Sequence, residues 1–127
     1  MFSQGDDFRI IRKVAFADTD ASGRAHFTAI LRYVEDAEHA FFAERGLSVI
    51  GENFGWPRVH VDCDYRAPLT FGDRVELHLV IQVVGKTSIK YNFTIKKEEQ
   101  VCAEGSMVIV HVNQDGLPRE TRGLTTE

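Results

Sequence analysis

Two aspartates one residue apart, Asp18 and Asp20, follow an apolar run that ends at Phe16, and Gly23, His26 and Phe27 come after them. A carboxylate can attack an electrophilic carbonyl directly, or it can deprotonate a water that attacks instead. Either route needs a hydrogen-bond donor facing the oxygen that gains charge. The first turn of a helix supplies one, because its leading N–H groups have no intrahelical partner and the helix N-terminus carries roughly half a positive charge. A single well-placed donor of this kind contributes about 10²–10³ in turnover. The same acids also have a plainer reading. Aspartate is common in turns and caps for its local hydrogen bonds, and residue type alone favours that reading for both.

The helix that would supply the donor is written in the next stretch. Ile30, Leu31, Val34, Ala37, Phe41 and Phe42 recur at helical spacing, while Arg32, Glu35, Asp36, Glu38 and His39 fill the other side. Thr28 is the expected N-cap, and Gly46 is the expected residue just past the C-cap. Before the helix, Phe8–Phe16 reads as a first strand. After it comes a loop with Gly51, Gly55 and Pro57, and then the period drops to two. Val59, Val61, Cys63 and Tyr65 alternate with Arg58, His60, Asp62, Asp64 and Arg66. "TFGD" turns the chain into Val75, Leu77, Leu79, Ile81 and Val83, and "VGKTS" turns it again into Ile89, Tyr91, Phe93 and Ile95. "KKEEQ" is a charged hairpin tip before a last strand over about Val101 to Val112, and Asp115-Gly116 marks another turn. The expected class is α+β, with one long central helix wrapped by a curved antiparallel sheet of about five strands. The 127 residues predict a single domain, 1–127, with a polar, frayed tail from about residue 119.

Bulk properties narrow the function. Net charge is −4 with no basic stripe, which disfavours nucleic acid. No apolar run is long enough to span a bilayer, and the N-terminus lacks a basic region followed by an apolar one, so neither membrane insertion nor a signal peptide is expected. Cys63 and Cys102 lie in strand-like segments and are expected as free thiols, which suits a reducing, cytoplasmic setting. The five histidines show no metal-ligand spacing, so no metal is expected.

Asp18-Thr19-Asp20, Gly23 and the helix segment Leu31-Arg32-Tyr33-Val34-Glu35 resemble the hot-dog-fold thioesterases of the 4-hydroxybenzoyl-CoA type, a group that includes those associated with the Tol–Pal system. "YRAPLTFGDRVEL" and "VNQDGLP" extend the resemblance over nearly the whole chain. It implies acyl-CoA hydrolysis with CoA as part of the substrate and no separate cofactor. It makes Asp20 the catalytic carboxylate and the backbone N–H of Phe27 the donor to the thioester carbonyl, and it leaves the plainer reading to Asp18. It sets Lys86 and Ser88 of "VGKTS" against the CoA phosphates. It also implies a dimer or tetramer with active sites between subunits. Where several relatives carry histidine this chain has Phe27, so His26 is the candidate to assist; a surface or interface role suits it equally. Arg24, Ala29 and Ile30 also depart from the family pattern. Two other functions stay open. One is a non-catalytic acyl-CoA-binding protein with this fold. The other, weaker for want of the histidine–acid spacing, is an acyl-carrier dehydratase or hydratase.

Overall fold

Strand alternation sets the architecture. The computed structural model describes residues 2–49, 51 and 54–121. Strands β1 (Asp7–Lys13), β3 (Arg58–Tyr65), β4 (Arg74–Val84), β5 (Ser88–Lys97) and β6 (Gln100–Val110) form one antiparallel sheet in the order β1-β4-β5-β6-β3. A short pair, β2 (Phe54–Gly55) and β7 (Val112–Asn113), lies within segments expected as loop and strand end. Helix α1 (Phe27–Glu44) packs on one face of the large sheet. Leu77, Leu79 and Ile81 of β4 pair with Ile95, Phe93 and Tyr91 of β5, and all six are buried on the helix side. Each fully buried aliphatic or aromatic side chain of this kind contributes about 1.5–3 kcal/mol. The result is the hot-dog arrangement expected from the sequence.

The helix ends are set by local hydrogen bonds. At the C-terminus, Gly46 N–H donates to the Ala43 carbonyl at 3.0 Å and Leu47 N–H to Phe42 at 2.9 Å, with Gly46 at φ 72°. That is the Schellman arrangement, which needs a residue tolerant of positive φ. At the N-terminus the cap is His26, not Thr28. His26 has extended backbone angles, and its Nδ1 accepts from the Thr28 N–H at 3.2 Å. Thr28 is thus the donor, one position inside the helix.

Five further differences from the sequence reading have physical causes. β1 ends at Lys13, and Phe16–Asp18 form a 3-10 turn that brings the chain round to α1. Val83 points outward, because a bulge after Ile81 shifts the register and sets Val83 opposite Lys90. Val59, Val61 and Tyr65 remain exposed, because β3 is a sheet edge that α1 meets at its two ends, at Arg58 and at the Tyr65 hydroxyl; only Cys63 on that face is half-buried. Glu38, expected on the charged side of the helix, is buried. It accepts from the Tyr91 hydroxyl at 2.6 Å and from Arg58 Nη2 at 2.6 Å, so both carboxylate oxygens are satisfied. Finally, the start of the expected tail is anchored. Arg119 N–H donates to His111, and buried Thr121 donates from N–H to Lys86 and from Oγ1 to Gly85. The rest of that tail lies outside the described residues.

Candidate active site

The loop between β1 and α1 is held from both sides. Asp18 Oδ2 accepts from the Tyr33 hydroxyl at 2.6 Å, and its Oδ1 accepts from Arg32 Nη2 at 2.8 Å. The Asp18 carbonyl accepts from His26 N–H at 2.8 Å. Asp18 therefore ties the turn onto the helix that follows. Burial, followed by the Asp18 hydrogen bond, pushes the Tyr33 phenol up to about 12, so it stays a donor.

Asp20 sits in a tight turn closed by its own N–H on Arg24 and by Gly23 N–H on its carbonyl, both at 2.9 Å. Gly23 has φ 82°, a conformation few other residues adopt without strain. The Asp20 side chain is exposed. Its Oδ1 accepts from both the hydroxyl and the N–H of Ser22. Oδ2 accepts no hydrogen bond among the described residues. The Ser22 hydroxyl, then its N–H, hold the Asp20 carboxyl below the usual carboxylate range, with smaller help from His26 and Arg24. Asp20 therefore stays ionised with one oxygen unengaged.

His26 and Phe27 lie at the helix mouth, and both are exposed. Because His26 Nδ1 accepts the capping bond, the neutral ring carries its proton on Nε2. The Phe27 N–H, in the first turn of α1, meets no acceptor among the described residues. The Phe27 carbonyl accepts from the Tyr65 hydroxyl at 3.2 Å, and the two rings meet edge to face at 6.4 Å. That contact fastens the end of β3 to the start of the helix. Between them lies a cleft of about 330 Å³ lined by apolar Phe27, Ile30 and Leu69 and by exposed Arg24 and Arg66. Tyr65, Ala67 and Leu69 also line it, and sequence reasoning missed all three as site residues. Only the "YRAPL" segment hinted at them, through the family resemblance rather than through any acid–base pattern. Ala29 is fully buried, so its departure from the family pattern lies in the core rather than in a pocket.

The structure does not bring every sequence-derived residue together. The Asp20 loop adjoins the start of β4, where Arg24 bridges Thr70 and Val14 N–H reaches the Asp73 carbonyl. Lys86 and Ser88 lie beyond the far end of that eleven-residue strand, roughly 30 Å away at the usual rise per residue. Lys86 is exposed, with Glu120 at 4.0 Å. Within one chain the pair cannot contact a small group held at Asp20. Among the described residues no group of three or more His, Cys, Asp and Glu side chains is placed to hold a metal ion, and no helix is long and apolar enough to cross a membrane.

Comparison with known proteins adds a family. A model of the thioesterase-like superfamily matches residues 14–122. A 1,4-dihydroxy-2-naphthoyl-CoA hydrolase from Synechococcus sp. (strain CC9605) is 30% identical over 118 residues, covering 85% of this chain and 78% of that one. Among solved structures, a gentisyl-coenzyme A thioesterase superposes with a TM-score of 0.86 at 26% identity, over 91% of this chain and 97% of that one. A 1,4-dihydroxy-2-naphthoyl-CoA thioesterase from Synechocystis gives 0.85 at 24% identity, over 91% and 90%, a likeness of fold.

Proposed function

The chain belongs to the thioesterase-like superfamily, and from that premise we propose that it hydrolyses an acyl-CoA thioester to the free acid and CoA, with Asp20 as the reacting carboxylate. The observation that carries the reading is two unengaged groups at the ends of one short loop. An ionised Asp20 with Oδ2 unengaged precedes a helix whose Phe27 N–H has no acceptor among the described residues. A thioester carbonyl between them would meet a base or nucleophile on one side and a donor on the other. Attack by Oδ2 on the carbonyl carbon expels CoA thiolate and leaves a mixed anhydride, which water then opens. In the alternative route, Oδ2 takes a proton from the water that attacks. Within the superfamily we read the chain as the 4-hydroxybenzoyl-CoA type, a reading supported by Asp18-Thr19-Asp20 and Gly23 ahead of the helix. The relatives named for aromatic acyl-CoA substrates make aromatic thioesters the first to try.

We read the working unit as a single domain that self-associates as a dimer or tetramer. The support is β3, an edge strand carrying exposed Val59 and Val61 beside the Phe27–Tyr65 contact. A second copy paired there would cover that edge and close over the cleft. Lys86 and Ser88 then serve CoA only if another subunit presents them. Thiol release over aliphatic, branched and aromatic acyl-CoAs tests the proposal. Wild-type protein should turn over at least one of them, and folded Asp20→Asn should not; equal turnover by the two would sink the assignment.

A further inference from the structure

The cleft beside Phe27 has a charge feature that thioester hydrolysis alone does not use. Two arginines line it, but they are not equivalent. Arg66 Nε donates to Glu104 at 2.6 Å, and its Nη2 lies 3.5 Å from Asp64, so two carboxylates neutralise it. Arg24 makes no ion pair with a carboxylate among the described residues. Its backbone is nevertheless held. Its carbonyl accepts from Asp20 N–H, it bridges Thr70, and the adjacent Ala25 N–H donates to Leu69 at 2.7 Å. A chain of net charge −4 thus presents, beside an apolar cleft, one guanidinium on a fixed stretch of backbone and with no carboxylate in ion-pair contact among the described residues.

Resting on the thioester reading of this cleft, we propose that Arg24 is the contact for an anionic oxygen of the substrate, either a carboxylate on the acyl group or a phosphate of CoA. The planar guanidinium fork matches both groups in two-point geometry. The neighbouring Asp20 makes such a cation useful, because an anionic substrate approaching an anionic carboxylate is otherwise repelled. Tuning Asp20 is a lesser role for Arg24, since both Ser22 hydrogen bonds and His26 act on that carboxyl more strongly.

Non-hydrolysable thioethers test this without turnover. Binding of S-butyl-CoA, S-(3-carboxypropyl)-CoA and the two matching N-acetylcysteamine thioethers is measured by calorimetry for wild type, Arg24→Gln and Arg24→Lys. If the anion is phosphate, Arg24→Gln weakens both CoA compounds by about tenfold and leaves both N-acetylcysteamine compounds unchanged. If it is an acyl carboxylate, the two carboxypropyl compounds weaken and the butyl pair does not. In either case Arg24→Lys recovers part of the loss. Three results overturn the proposal: all four constants within twofold of wild type, equal weakening of the neutral N-acetylcysteamine thioether, or no binding of any compound by wild type. Binding that depends on Arg24, in a protein that hydrolyses no acyl-CoA, would refute the hydrolase reading and leave the Arg24 assignment standing.

Discussion

Glu38 and Asp20 are both carboxylates tied to helix α1, and they have opposite surroundings. Glu38 lies within the helix at 1% exposure, with Tyr91 and Arg58 on its two oxygens. Asp20 lies in the loop before the helix, exposed, with one oxygen held by Ser22 and the other unengaged. Burial moves Glu38 above the ordinary carboxylate range against the pull of Tyr91 and Arg58, and hydrogen bonds move Asp20 below it. The first acid is saturated and can only hold elements together; the second keeps lone pairs for chemistry. On the proposed mechanism, reactivity follows from what a carboxylate is left without, more than from the acid itself.

The largest effects should separate the two acids cleanly. Asp20→Asn should lower thioester turnover by about 10²–10⁴-fold, the range of a positioned acid–base group, with the melting temperature unchanged. Glu38→Ala should do the reverse. It leaves the buried Tyr91 hydroxyl without its acceptor and Arg58 with Glu35, at 3.3 Å, as its remaining carboxylate, and should cost about 3 kcal/mol in denaturant unfolding, the lower end for removing one partner of a buried ion pair. A Glu38→Ala protein of wild-type stability would erase the contrast. Tyr91→Phe is the milder version. It removes one hydrogen bond to a buried charge and should cost about 1.5–3 kcal/mol by the same measurement.

The two acids were not equally legible in the sequence. The spacing of Val34, Ala37, Phe41 and Phe42 identified the buried face of α1, and strict alternation identified β4 and β5. Helical spacing puts Glu38 on the wet face, because its partners are an arginine 20 residues away and a tyrosine 53 residues away. Periodicity cannot register a charge that is compensated across the core. β3 departs in the other direction: alternation specifies two faces of a strand but not whether anything covers one of them, and Val59 falls in a bulge between Arg58 and His60 while Val61 lies mid-way along the edge strand. At the site, the Asp20–Gly23 turn and the helix mouth were legible as a local motif. The cleft walls at Tyr65 and Leu69 were not, since they arrive through long-range pairing.

A pH series sharpens the contrast through linkage. The folded-state value of Glu38 is raised above its model-compound value of 4.5, so the folded chain holds that proton more tightly than the unfolded chain does. Its contribution to stability is fully present below pH 4.5 and is lost as pH rises through the folded value. Urea unfolding should show this decline in wild type, and Glu38→Gln should remove that component. An unchanged slope in Glu38→Gln would assign the decline to other groups.

The smallest expected effect lies at Asp20 and has the opposite sign. The Ser22 hydroxyl is the largest influence lowering the Asp20 carboxyl, ahead of the Ser22 N–H. Ser22→Ala keeps the backbone bond and removes the hydroxyl, so the carboxyl should move back up toward 3.8. On the proposed mechanism Asp20 works as the carboxylate, so activity is lost as pH falls through its value. The acid limb of the pH–rate profile should therefore shift to higher pH in Ser22→Ala, with turnover near pH 7 close to wild type and stability unaffected at this exposed turn. The removed bond also frees Oδ1, which gives the carboxylate a second unengaged oxygen and more freedom to rotate. If orientation of Oδ2 matters more than its basicity, Ser22→Ala will lower turnover at all pH values instead of moving the limb. That would make Ser22 a positioning residue, and the contrast with Glu38 would then turn on how firmly each carboxylate is held as well as on which oxygen is left open.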